Sequence, residues 1–157
     1  MPPFEARLQA LEDREAIREL IAQYGPLADS GNAEGVAALF AEDGVYAIAG
    51  FGEANGRAAI AALITGANHQ QLMADGCAHV LGPVAVELDG DTAVARGHSL
   101  VLRWTGAAFE VHRVAANRWE LKRKLDRWLA TRRDNALLQG DAAARALLSP
   151  PAVPHRS

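Results

Sequence analysis

The sequence has little cysteine: one residue, Cys77, in a chain of 157. No disulfide can close within the chain and no thiolate zinc cluster can form, and the composition suits a reducing compartment, the cytoplasm. It lacks any run of 18 apolar residues, and its first stretch, MPPFEARLQALEDRE, has no apolar signal core, so neither membrane span nor secretion signal is expected. A strong charge of either sign is also missing. The net charge is −3, which favours neither nucleic acid nor an anionic lipid surface. A basic stretch at 113–133 is diluted by Glu120 and Asp126 and does not change that conclusion. No repeat and no long linker occur. GFGEANG, at 50–56, has neither the preceding buried strand nor the following Lys of a phosphate loop.

What is present is an ordinary globular profile, half apolar and 22% charged, of a length that suits one domain with a real core. The expected domain covers residues 1–148, with a flexible tail at 149–157. Phe4, Leu8 and Leu11 predict a short leading helix. Asp13 is placed to cap a second helix, with Ile17, Leu20, Ile21, Tyr24 and Ala28 as its buried stripe. Asn32 is a candidate cap for a third helix carrying Val36, Leu39 and Phe40. Val45–Ile48 reads as a short strand and Arg57–Thr65 as a helix ended by Gly66. Residues 67–77 show no period and read as a loop. From residue 78 strands dominate: 78–88, 92–104, 107–115 and 118–131, with turns at Asp89-Gly90-Asp91, Thr105-Gly106 and Ala116-Asn117. Asp141–Leu148 reads as a short final helix. Helices gathered early and strands late predict an α+β fold, helices packed on one face of an antiparallel meander.

Chemistry is suggested first by AQYGPLADSGN, at 22–32. Pro26 lacks an N–H and its ring meets the carbonyl of Ala22, so the helix should bend or loosen there. Asp29 follows. It either opens an Asp-Ser-Gly-Asn turn facing water or is a buried acid fitted for proton transfer. On an ideal helix Tyr24 and Asp29 point roughly 140° apart, so they share a cavity only if the Gly25-Pro26 region changes the phase. The strand from Arg118 alternates, with Trp119, Leu121, Arg123 and Leu125 on one face. Arg123 is the one charge on that apolar face and needs an acid, a carbonyl or a bound anion. His79, near the start of a strand, is either structural or an acid–base group. His98 and His112 lie mid-strand, and Phe40, Tyr46, His98 and Trp119 complete the candidates for a substrate-binding wall. His69, in the expected loop, and His155, in the tail, are assigned no role. No pair of histidines has the spacing of a metal site, so no metal and no cofactor are expected.

The order LEDREAIRELIAQYGPLADSGN, VAALFAEDGVY, AHVLGPVAVELDGDTAVARG and RWELKRKLDR ahead of DNALLQGDAAARALL resembles the SnoaL-like branch of the nuclear transport factor 2-like superfamily, over residues 10–148. The resemblance implies a cone in which helices close over a strongly curved antiparallel sheet around a cavity for a small apolar molecule. In members similar to scytalone dehydratase, bile-acid dehydratase and hexachlorocyclohexane dehydrochlorinase, an acid late in the long helix pairs with a strand histidine. By that resemblance Asp29 and His79 are the dyad, Tyr24 lines the cavity, and the arginine of the last strand is best matched by Arg123. It also implies a homo-oligomer, dimer or trimer, with Arg127, Trp128, Arg132 and Arg133 as candidate contacts.

These readings predict a cofactor-independent lyase, a dehydratase acting on a small apolar polycyclic, polyketide or steroid-like substrate. An isomerase, a polyketide-type cyclase or an epoxide hydrolase is the alternative within the same cavity. A non-catalytic ligand-binding or subunit-interaction module is the alternative outside catalysis.

Overall fold

A computed structural model of the chain describes residues 1–150. The expected flexible tail falls, from 151 onward, outside the described residues. The long helix α1 runs Phe4–Asp29 without interruption. Asp13 therefore does not start a helix. It is buried on α1's sheet-facing side, where it accepts hydrogen bonds from Trp128 Nε1 (3.1 Å) and Arg123 Nη2 (2.5 Å). The stripe Ile17, Leu20, Ile21, Tyr24 and Ala28 is buried as its spacing predicts, whereas Phe4, Leu8 and Leu11 are exposed. Pro26 lies inside the helix, which continues one more turn to Asp29. It ends in a Schellman pattern: Asn32 N–H donates to Leu27 O, Gly31 N–H donates to Ala28 O, and Gly31 takes a φ of 72°.

Helix α2 (Ala33–Ala38) is capped by Asn32, whose side chain accepts from Gly35 N–H. Strands β1 (Phe40–Ile48) and β2 (Gly52–Asn55) form a hairpin, followed by α3 (Gly56–Thr65). Residues 67–77, expected as loop, form α4 (Ala67–Asp75), which leads into β3 (Cys77–Leu81). The expected long strand 78–88 is divided at Gly82-Pro83 into β3 and β4 (Ala85–Asp89), where proline cannot donate to a ladder. The long strands β5 (Thr92–Trp104), β6 (Phe109–Lys124) and β7 (Arg127–Leu137) complete the sheet, and α5 (Ala142–Ala146) is capped by Asp141. Ala116-Asn117 is not a turn; both residues are buried within β6. The turn comes later, at Leu125, which is exposed with a φ of 57° rather than facing inward.

The sheet order is β2-β1-β7-β6-β5-β3, with β4 also on β5. Neighbours are antiparallel except β1 and β7, which run parallel, so the sheet is mixed where a purely antiparallel one was expected. It is open and strongly curved, and the helices pack against it in a cone-shaped α+β arrangement. Ile17, Ile21, Ile60, Ile64, Phe40 and Trp119 are almost fully buried between the layers. Each such side chain contributes about 1.5–3 kcal/mol through removal from water.

One irregularity decides what the cone contains. The β6–β7 register skips between Glu120, opposite Arg132, and Leu121, opposite Ala130, so Thr131 is an extra residue on β7. Before this bulge Trp128 and Ala130 face in; after it Arg133 and Asn135 do. A bulge changes the phase of a strand in this way. Strict alternation from Trp128 would have sent Arg133 outward. Trp128 and Arg133 are buried, so the inter-subunit contacts expected of them are not available, and Arg132 is held by Asp134 and Glu53.

No helix among the described residues is long and apolar enough to cross a membrane.

Candidate active site

The end of α1 is brought against β3 by a missing side chain. An added Cβ at Gly25 would lie 2.2 Å from the backbone oxygen of His79. Only glycine permits this approach. It puts Asp29, one turn later, beside Cys77 and His79, which share a face of β3 because they are two residues apart.

Asp29 then receives three donors. His79 N–H donates to Oδ2 at 2.8 Å, His79 Nδ1–H donates to Oδ1 at 2.6 Å, and the Cys77 thiol donates to Oδ1 at 3.5 Å. The backbone bond fixes the carboxylate, and the carboxylate fixes the ring, leaving the His79 Nε2 edge as the free one. Burial lowers the His79 pKa below its usual 6.5; the bond to Asp29 opposes this without reversing it. His79 is thereby kept as a neutral base near pH 7. Burial and Asp29 push the Cys77 thiol up to about 11, so it is a donor rather than a nucleophile. Asp29, Cys77 and His79 also lie close enough together to be candidate metal ligands, but an un-ionised thiol and a ring nitrogen already bonded to the carboxylate suit a hydrogen-bonded cluster better.

His79 lines a cavity of ≈ 570 Å³, a volume suited to a small organic molecule. Asp29 sits behind His79 and is not part of the wall, so Tyr24 and Asp29 do not face the cavity together. Tyr24 does line it, its ring 6.3 Å from that of His79 and edge-on to Tyr46 at 6.1 Å. Burial pushes the Tyr24 hydroxyl above the usual tyrosine range, keeping it a neutral donor. Ile48, Leu63, Leu72, Leu81 and Val101 supply much of the apolar wall.

Arg123 is not at this cavity. It does face inward, but towards α1 at the other end of β6, where it is tied to Asp13 and, through Nε at 3.1 Å, to Asp91. Arg103, Arg113 and Arg133 line the cavity instead, and Arg133 is the fully buried one. Its guanidinium carbon lies 4.1 Å from the Tyr24 ring, 4.5 Å from Tyr46 and 4.4 Å from Trp119, a three-sided aromatic cage. Its Nε and Nη2 donate to Asn117 Oδ1 at 3.0 and 2.9 Å, and its buried Nη1 has no partner. Asn117 in turn donates to Ser99 Oγ (2.7 Å) and accepts from Asn135 Nδ2 (3.0 Å).

Of the expected wall residues, Tyr46 lines the cavity. Phe40 and Trp119 are fully buried behind it, stacked with Tyr46 and under Arg133 respectively. His98 is exposed, since the alternation of β5 turns Ser99 and Val101 inward instead. His69, assigned no role from sequence, is a buried cavity residue. Its Nε2–H donates to Ala28 O at 2.7 Å and its ring lies 5.4 Å from that of His79.

The SnoaL-like domain model matches residues 9–134. The chain belongs to the SnoaL-like family. An NTF2-like protein of cystatin-like fold from Novosphingobium aromaticivorans superposes on this SnoaL-like chain with a TM-score of 0.91, at 62% identity over 93% of this chain and 95% of the other. A hexachlorocyclohexane dehydrochlorinase from Novosphingobium barchaimii gives 0.73 at 18% identity over 84% and 90%. A protein provisionally assigned as scytalone dehydratase from Novosphingobium aromaticivorans gives 0.68 at 21% over 82% and 85%. At those identities the last two share the fold. Among curated proteins none matches. The fold expected of a SnoaL-like chain is thus the fold observed.

Proposed function

We propose that this protein is a cofactor-independent lyase that removes a proton from a small, largely apolar substrate and expels a leaving group from the neighbouring carbon. The observation that carries the reading is the Asp29–His79 contact, a base held in one orientation at the wall of a cavity. Kinship in fold with a dehydrochlorinase and a provisionally assigned dehydratase supports it.

In this reading His79 Nε2 takes the proton from a carbon beside a carbonyl. The C–H electron pair moves into an enolate whose oxygen is met by the neutral Tyr24 hydroxyl and the unpartnered Arg133 Nη1. The enolate reforms the carbonyl as the β-hydroxyl leaves, accepting the proton from His79 to depart as water. Asp29 stabilises the imidazolium between the two steps. The product is an α,β-unsaturated ketone.

The test is turnover of a panel of apolar β-hydroxy-ketones without added cofactor, followed by the absorbance of the conjugated product. Asp29→Asn keeps the shape but not the charge, and is expected to cost about 10²–10⁴-fold in kcat while circular dichroism stays unchanged. In the wild type, kcat/KM is expected to be flat above pH 6.5 and to fall on acidification with an apparent pKa below 6.5. Full activity in Asp29→Asn would remove the dyad from the mechanism, and binding of the panel without any turnover would replace this reading with that of a ligand-binding module.

A further inference from the structure

The strand arginines divide into two groups. Arg96 pairs with Glu87, Arg103 with Asp75, Arg118 with Glu120, Arg123 with Asp13 and Asp91, and Arg132 with Asp134 and Glu53. Arg127 has no such acid but is exposed to water. Arg113 and Arg133 are at least half-buried, have no carboxylate partner among the described residues, and both line the cavity. Each is bonded to an amide oxygen instead: Arg133 to Asn117, and Arg113 Nη2 to Asn135 Oδ1 at 3.2 Å. Asn135 joins the two through its bond to Asn117.

The charge on the wall does not balance. Arg103, Arg113 and Arg133 line the cavity against one carboxylate, Asp75, and that is taken up by Arg103 at 2.5 Å and by Gln71 at 2.8 Å. An amide oxygen orients a guanidinium without neutralising it. A partly buried cation left this way is stabilised by a ligand that brings the opposite charge. Arg113 also lies over the exposed Phe51 ring, 5.6 Å from its centre, which places it at the rim of the cavity, where a ligand's charged end could meet it.

We propose that the cavity is built for an apolar organic acid, with Arg113 as the residue that recognises its carboxylate. Arg133 Nη1 then remains for the oxygen on which charge develops during reaction. The inference adds a substrate class to the elimination site and so rests on that reading for its catalytic meaning, but binding alone tests it.

The experiment is calorimetric titration with matched acid and amide pairs of increasing size: benzoate and benzamide, 2-naphthoate and 2-naphthamide, 9-anthroate and its amide. In the best-fitting pair the acid is expected to bind about tenfold more tightly or better, the scale of a charge-assisted hydrogen bond. Added salt should erode the acid's advantage and leave the amide unaffected. Arg113→Gln should abolish the preference without changing the amide's affinity, and Arg113→Lys should restore part of it. Equal affinities in every pair, no binding of any probe, or a preference that survives Arg113→Gln overturns the proposal. An acid-selective protein that turns nothing over would remove the lyase reading alone. Turnover of neutral hydroxy-ketones with no acid selectivity would remove this inference alone.

Discussion

Arg123 and Arg133 are ten residues apart and both inward, yet their surroundings give them different work. Arg123 neutralises Asp13, which is buried in α1 and also bonded to Trp128. Arg133 stands in an aromatic cage with one nitrogen free. Arg123→Met should therefore lower stability by about 1–3 kcal/mol, the penalty for leaving a buried acceptor short of a donor, and leave turnover unchanged. Arg133→Met should cost about 10²–10³-fold in kcat, as for loss of an oxyanion donor. Urea melts and steady-state rates on the two variants separate these outcomes, and an inactive Arg123→Met would reverse the assignment. The sequence shows an inward arginine on the strand from 118 because alternation there is regular. It hides Arg133 because the inward phase after Thr131 depends on a bulge, which no periodicity announces. His69 is hidden for a different reason: Leu72 and Met73 are the only large apolar residues of α4, too few to mark a helical face.

At the scale of elements, the site depends on how closely α1 approaches β3. Gly25→Ala places a methyl group against the His79 carbonyl, and backbone rather than a flexible side chain must yield. Overpacking of this kind costs about 1–3 kcal/mol. Because the displaced carbonyl belongs to His79, kcat/KM should fall as well. A melting curve and an assay on one variant check both, and wild-type values for each would show that the close approach is not needed. The buried face of α1 from Ile17 to Ala28, the Asn32 cap and the hairpin at Gly90 are all legible, since local spacing and turn chemistry determine them. Asn117 misleads as a turn former. Its side chain is committed to Ser99, Arg133 and Asn135, and those bonds hold it within β6. Asp13 misleads as a cap because its partners come from the far strands β6 and β7.

For the molecule as a whole, His79 links protonation to folding. Its pKa is lower in the folded state than the 6.5 of a free histidine, so the unfolded chain binds more protons in the interval between. The corresponding stability is fully present above pH 6.5 and is lost as pH falls through the folded value. The melting temperature should decline on acidification below 6.5, and the decline should be shallower in His79→Gln; parallel curves for the two proteins would mean that other groups dominate. Helices packed on a sheet are readable from the order of parts and the cone is implied by the family resemblance, whereas the parallel pairing of β1 with β7 joins segments about ninety residues apart and leaves no local trace. The bulge at Thr131 has a consequence for descent. It divides β7 into a scaffold half, where Trp128 meets Asp13, and a ligand half, where Arg133 and Asn135 meet the cavity. Substitutions in one half can accumulate with little bearing on the other. On the proposed function, a change of substrate is expected to come through the residues after Thr131, with the frame before it inherited unchanged.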